Sequence, residues 1–480
     1  MKHNYICSLI LLSFLAVSFV MTSCGGDDTP GDTPDTPSMT IKVRSCSISE
    51  GTTFAANALS EITVTYNTTV AVGSADGITL NGEKCAAKSS STTAMDIVIT
   101  LPTLEDGKSY TLSIAEGAIV SNADKTVKAP AYKVNFTTKE RAELNIPMMP
   151  VTASTPSAKT LYTFFRENYG RRVVSSVMAN VNWNNDCAEK VYQLTGKYPA
   201  MNCYDFIHIL YSPANWIDYT SIKPVQDWVN AGRLVQLMWH FNVPKTEGST
   251  DVTCTPSETT FKAANALVSG TWENRWFYEQ MDKVIATLLK LQDAGIAATW
   301  RPFHEAAGNA TAKQQASWTK SWFWWGYDGA ETYKKLWVAM FDYFKQKGVN
   351  NLIWVWTTQN YNGNSATYNQ DTDWYPGDQY VDIVARDLYG YNASQHHQEF
   401  EEIQQRYPNK MVALGECGWD GNSSKESATP EEFYQAGALW SHFMVWYQGD
   451  NGTSTGTMCS DAWWKAAMSD RNVITRDQLQ

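Results

Sequence analysis

The chain lacks the residue patterns that mark several large protein classes. No Cys-x-x-Cys pair and no cluster of His and Cys at metal-ligand spacing occurs in its 480 residues. A structural zinc site is therefore excluded, and no metal or cofactor is expected. No Gly-x-Gly-x-x-Gly turn is present, which argues against a doubly wound nucleotide-binding sheet. Positive charge is scarce: 38 Lys and Arg stand against 49 Asp and Glu, a formal net charge of −11 with no basic patch. Nucleic acid is excluded as a partner, and the acidity mainly favours solubility. The predominantly apolar run at residues 9–21 is too short to span a bilayer. Tryptophan is absent before Trp183, and all 20 lie between it and Trp464. Indoles combine a large flat apolar face with one hydrogen-bond donor, a combination suited to core packing and to sugar rings alike.

The run at residues 9–21 follows Lys2 and has the length of a signal-peptide core. Met21-Thr22-Ser23-Cys24 then resembles a bacterial lipobox, with small residues ahead of a cysteine. The resemblance implies a signal peptide over residues 1–23 and a lipid on Cys24. Gly25-Gly26-Asp27-Asp28 resembles the acidic export tag of surface lipoproteins. The expected location is the bacterial outer membrane, lipid-anchored and exposed at the cell surface. Residues 24–38, rich in Asp, Thr and Pro, are expected to form a flexible tether. Of nine cysteines, Cys7 falls in the signal and Cys24 is the anchor. Cys46 and Cys85 precede residue 140, and Cys187, Cys203, Cys254, Cys417 and Cys459 follow it. Five cannot all pair with one another, and the sequence leaves connectivity open.

Residues 39–138 alternate apolar and polar residues in short runs: 40–43, 62–66, 78–80, 97–101, 110–114 and 132–137. Turn pairs such as Asn81-Gly82 and Asp106-Gly107 separate them. About seven short strands in such a length predict an all-β sandwich. The segments EITVTYN, GITLNG and YKVNFTT resemble bacterial immunoglobulin-like domains. No catalytic grouping occurs here, and a spacer role is expected.

From residue 145 to residue 480 the pattern becomes strand, helix, strand, helix. Strands are expected at residues 173–178, 200–204, 234–239, 297–301, 352–356, 381–386, 411–414 and 443–446. Helices are expected at 222–231, 274–294, 331–347, 398–407 and 430–438. Eight such units predict a (β/α)₈ TIM barrel. The fifth connection, residues 359–379, has the length of an active-site loop. The whole chain is thus expected to be multidomain, a β-sandwich followed by a barrel.

Two peptides place a glutamate just beyond an apolar strand: WRPFHE at residues 300–305 and ALGECGW at residues 413–419. Barrel enzymes gather their reacting groups at the C-terminal ends of the strands. Two carboxylates facing each other there suffice to cut a glycosidic bond. With LMWHFN (237–242), SWFWWG (321–326), LIWVWT (352–357), DIVARDLYG (382–390) and HFMVWYQ (442–448), these motifs resemble glycoside hydrolase family 26 across the whole second half. The resemblance implies a retaining endo-acting β-1,4-mannanase, with β-mannan as polysaccharide substrate. It makes Glu305 the acid/base after strand four and Glu416 the nucleophile after strand seven. It further implies substrate-binding roles for His240, His304, Trp322, Asp382, Tyr389 and Trp446. Tyr389 is expected to hydrogen-bond the nucleophile, and Trp446 to lie beneath the sugar at the cleaved bond. Arg301 is expected to pair with carboxylates below the site, and Trp324, Trp325, Trp354 and Trp356 to serve packing. Relatives usually place SWFWWG a few residues after the acid/base, whereas here residues 310–319 intervene, an expected loop at the barrel mouth that includes Trp318. β-1,3-Xylan or mixed-linkage β-glucan is the alternative substrate, and a non-catalytic glycan-binding lipoprotein the alternative class. A monomer is expected.

Overall fold

The computed structural model describes residues 40–56, 59–140, 145–180, 182–308, 321–359, 371–420, 425–448 and 453–479. The signal segment, the tether, Cys24, the insertion at 310–319 and residues 360–370 of the fifth connection lie outside them.

Alternation along Glu61–Tyr66 and Asp96–Thr100 sends Ile62, Val64, Ile97 and Ile99 to one face. These strands pair antiparallel in a four-stranded sheet. Ser109–Ile114 and Tyr132–Thr138 pair likewise within a five-stranded sheet. Ile78, Leu112, Ile114, Val134 and Phe136 of the second sheet meet the inward residues of the first in one buried core. Eleven strands are present among the described residues of this part. Seven run only two to four residues, and five of these, including Thr52–Phe54 and Glu83–Lys84, match none of the expected runs, being too short to alternate visibly in sequence. The first strand begins at Val43 rather than at residue 40.

The second part is a closed ring. Its strands are β1 (Val173–Met178), β2 (Met201–Asp205), β3 (Leu234–Trp239), β4 (Ala298–Pro302), β5 (Leu352–Thr358), β6 (Ile383–Tyr389), β7 (Met411–Gly418) and β8 (His442–Val445). Each is buried along nearly its whole length, as expected of strands covered on both faces. Every neighbouring pair is parallel, and β1 pairs with both β8 and β2, which closes the barrel. A short strand, Val473–Ile474, adds to β1 from outside the ring. Helices follow the strands, except after β5, where the described residues form only the short 3₁₀ turns Asp371–Trp374 and Asp378–Tyr380. Thr271, Asn392, Thr429 and Ser460 cap four of the helices, each side chain accepting a backbone N–H of the first turn. The Asn392–Gln395 capping box starts the helix Ala393–Arg406 well before residue 398.

Inside the barrel, Met178, Cys203, Met238 and Met444 from β1, β2, β3 and β8 cluster beneath Trp446 and Tyr447. They form an apolar floor under one side of the barrel mouth. The seven cysteines described are free thiols.

Candidate active site

Side chains two residues apart on a strand share a face, so β6 sends Asp387 and Tyr389 into the barrel together. On β7 the register against β6 steps from Arg386–Leu414 to Asp387–Glu416, leaving Gly415 as an extra residue. Such a bulge re-aims the next side chain. Only glycine fits: a Cβ at position 415 would lie 2.5 Å from Asp387 Oδ1 and 3.2 Å from Arg301 Nε. The chain leaves β4 through two non-glycine residues with left-handed backbone, Phe303 (φ 46°) and Glu305 (φ 52°). Left-handed backbone at non-glycine residues is costly and is concentrated at functional sites.

These elements bring Glu305, Asp387 and Glu416 together, with an oxygen of each within 4.8 Å of the others. Arg301, fully buried on β4, compensates their charge. Its Nη1 donates to Glu416 Oε1 (2.7 Å), its Nη2 to Asp387, and its Nε to Thr357 Oγ1 (2.8 Å). This is the one grouping among the described residues with cation-ligand spacing, and the guanidinium already neutralises two of its members.

The two glutamates occupy different surroundings. Glu416 also accepts the Tyr389 hydroxyl at 2.5 Å, so charge-assisted bonds hold both its oxygens. Burial, and then the charge of Glu416, hold the Tyr389 hydroxyl well above its ordinary pKa, so it remains a donor. Glu305 accepts the indole N–H of Trp322 at 2.9 Å. Burial first, and then the charge of Glu416, push its pKa up to about 7, against the opposing pull of Arg301. Asp387 is hydrogen-bonded to Glu305, and burial drives it upward as well. Two carboxyls so close disfavour each other's ionisation.

Two histidines meet edge to face beside this group, their ring centres 4.4 Å apart. His304 is buried with no hydrogen-bond partner at Nδ1. Burial, then His240 and Arg301, hold its pKa well below the ordinary value, so it is neutral. His240 gives its Nδ1–H to Asp205 at the end of β2. Burial opposes its charged form, but the Asp205 carboxylate outweighs burial and lifts the pKa. Trp446 lies with its ring centre 5.8 Å from that of His240. Trp324, Trp325, Trp354 and Trp356 are buried and serve packing.

Of the residues singled out in the sequence, Glu305, Glu416, His240, His304, Trp322, Tyr389 and Trp446 come together at the barrel mouth. Asp382 does not, and this corrects its assignment. It precedes β6 at the opposite end of the barrel, where it accepts from the Val151 N–H (2.7 Å) and the Thr152 hydroxyl. The carboxylate that β6 supplies to the site is Asp387, two residues before Tyr389 and hence on its face. Strand parity within DIVARDLYG carried that signal. Asp205 was also missed, although it ends an apolar strand just as the two glutamates do. Phe323 is a further omission; it stacks on Trp325 (4.2 Å) and lies 5.2 Å from His304.

Comparison with known proteins agrees with this geometry. The family model for glycosyl hydrolase family 26 matches residues 151–478. A mannan endo-1,4-β-mannosidase from Thermothelomyces thermophilus is 30% identical over 68% of this chain and 61% of its own length. The chain thus spans less than two thirds of that relative. Among solved structures, the family 26 domain of an endo-β-mannanase/endo-β-glucanase from Prevotella bryantii is 52% identical. That likeness covers 70% of this chain and 100% of the other, with a TM-score of 0.66. A β-mannanase from a symbiotic protist of the termite Reticulitermes speratus, complexed with gluco-manno-oligosaccharide, is 31% identical. It covers 71% of this chain and 99% of the other, with a TM-score of 0.57. By its barrel, its paired glutamates and the match over residues 151–478, the chain belongs to glycosyl hydrolase family 26.

Proposed function

We propose that the protein is a retaining endo-β-1,4-mannanase that cleaves mannan by double displacement. One observation carries this reading: the Glu305 and Glu416 carboxylates approach within 4.8 Å in opposite electrostatic settings. Retaining enzymes place these groups about 5–5.5 Å apart, while inverting ones leave room for a water between them. Glu416, held by hydrogen bonds from Arg301 and Tyr389, attacks the anomeric carbon, forming a glycosyl ester. Glu305, protonated near neutral pH, gives its proton to the departing oxygen and then takes one from the water that cleaves the ester. His240 and Trp446 line the space beside the nucleophile, where the sugar ring would rest. The relatives named as mannanases support the choice of mannan.

Product NMR on mannan tests the mechanism, with the β-anomer expected to form first. Glu416→Ala should abolish attack. Glu305→Ala should fail on mannan yet still form the ester from an activated aryl mannoside, with azide restoring turnover. An inverted product, or full activity of Glu305→Ala on mannan, would overturn the assignment.

We infer also that the N-terminal β-module is immunoglobulin-like and that a lipid on Cys24 anchors the protein at the outer membrane. The Met21-Thr22-Ser23-Cys24 sequence supports the anchor. A Cys24→Ala variant that still takes up fatty acid and sediments with membranes would refute it.

A further inference from the structure

The segment leaving β2 begins at the catalytic centre and ends in an aromatic surface that the centre does not use. At its inner end, Asp205 accepts from the backbone of His240 (3.0 Å) and of Ile207 (2.8 Å). At its outer end, Trp216 is 54% exposed and Tyr211 43% exposed. No other tryptophan among the described residues is exposed. Trp216 lies 5.7 Å from Tyr211 and 5.2 Å from His208, ring centre to ring centre, so three rings share one patch.

The loop beneath this patch is built firmly. Ala214 and Ile217 exchange backbone hydrogen bonds across a tight turn with Trp216 at its tip. Tyr219 closes the loop twice, its N–H donating to Ser212 Oγ (2.9 Å) and its hydroxyl to the Asp205 carbonyl (2.7 Å). Ile217 and Tyr219 are buried, so the loop satisfies its own packing while leaving the indole in water. Burying an indole is favourable, and a rigid turn that withholds it from the core keeps it available to a partner. A sugar ring offers the matching surface, apolar C–H groups on one face with hydroxyls around the rim.

We propose that Trp216, with Tyr211, forms a remote stacking site for a hexose of the same β-1,4-linked chain, several units from the bond being cut. The proposal rests on the mannanase reading above. It makes the segment from Asp205 to Tyr219 a link between the His240 side of the cleavage site and a distal hold on the polymer.

Kinetics on manno-oligosaccharides of increasing length test it, comparing the wild type with Trp216→Ala and Trp216→Phe. The ratio of kcat/KM for mannohexaose over mannotriose should fall about ten-fold in Trp216→Ala, chiefly through KM. Trp216→Phe, which keeps a flat ring, should retain most of the ratio. An unchanged ratio in an active Trp216→Ala variant overturns the proposal alone. An equal loss at every length also overturns it, because that is the signature of a loop needed only for folding. A wild type inactive on mannan would overturn the mannanase reading and this site with it.

Discussion

Asp205 holds His240 at two points, accepting its backbone N–H at 3.0 Å and its ring Nδ1–H. The pairing fixes the tautomer and leaves Nε2 outside that bond. Asp205→Asn keeps the shape but removes the charge and can reverse the tautomer. The His240 pKa should then fall, readable by NMR titration of the ring. kcat/KM on mannan should drop by about ten- to a hundred-fold. Wild-type kinetics in this variant would show that the ring orientation is set by something else.

Glu305 must carry its proton to act as an acid, and its pKa is lifted to about 7. The profile of kcat/KM against pH should therefore decline on the alkaline side, with an apparent pKa near that value. With an aryl mannoside whose leaving group needs no proton, the alkaline decline of the first step should vanish. A decline that persists with that substrate would assign the limb to another group.

Gly415 is the bulge residue that aims the nucleophile. Gly415→Ala would press a methyl group onto the Asp387 carboxylate at 2.5 Å, and Asp387 is held by Arg301. Relief must come from movement of β7 or of Arg301, both of which position Glu416. A displacement of about 1 Å can cost on the order of a hundred-fold in rate. We expect kcat to fall by that order while circular dichroism still reports a folded barrel.

Asp382 gives the opposite contrast. It ties Val151 and Thr152 to the far end of the barrel, where Thr152 also donates to the Leu352 carbonyl. Asp382→Asn should lower stability by about 1–3 kcal/mol through lost charge-assisted hydrogen bonds. Thermal denaturation should register this as a lower Tm, with kcat on mannan unchanged. A fall in kcat at constant Tm would return Asp382 to the catalytic side.

The barrel was legible because its strands are continuous apolar runs between amphipathic helices, a pattern that survives without neighbours. β1 and β3 begin and end where the sequence placed them. Glu305 and Glu416 were legible for a related reason, each standing just past such a run. What escaped depended on partners distant in sequence. Asp205 matters because His240 lies across the β2–β3 boundary, 35 residues away. Asp387 was passed over for Asp382, although five residues separate them and strand parity puts them on opposite faces. The short strands of the first module gain their order from pairing, which alternation over two to four residues cannot announce.

The charge on Glu416 is one of the two influences that keep the proton on Glu305. In the proposed mechanism that charge disappears when Glu416 becomes an ester, while Arg301 stays in place. The proton affinity of Glu305 then drops at the moment the second half-reaction needs it to accept rather than donate. The timing of the acid-to-base reversal is thus set by the covalent state of its neighbour, with no loop or side chain having to move. The catalytic cycle resets itself electrostatically, because hydrolysis of the ester restores the charge that recharges the acid.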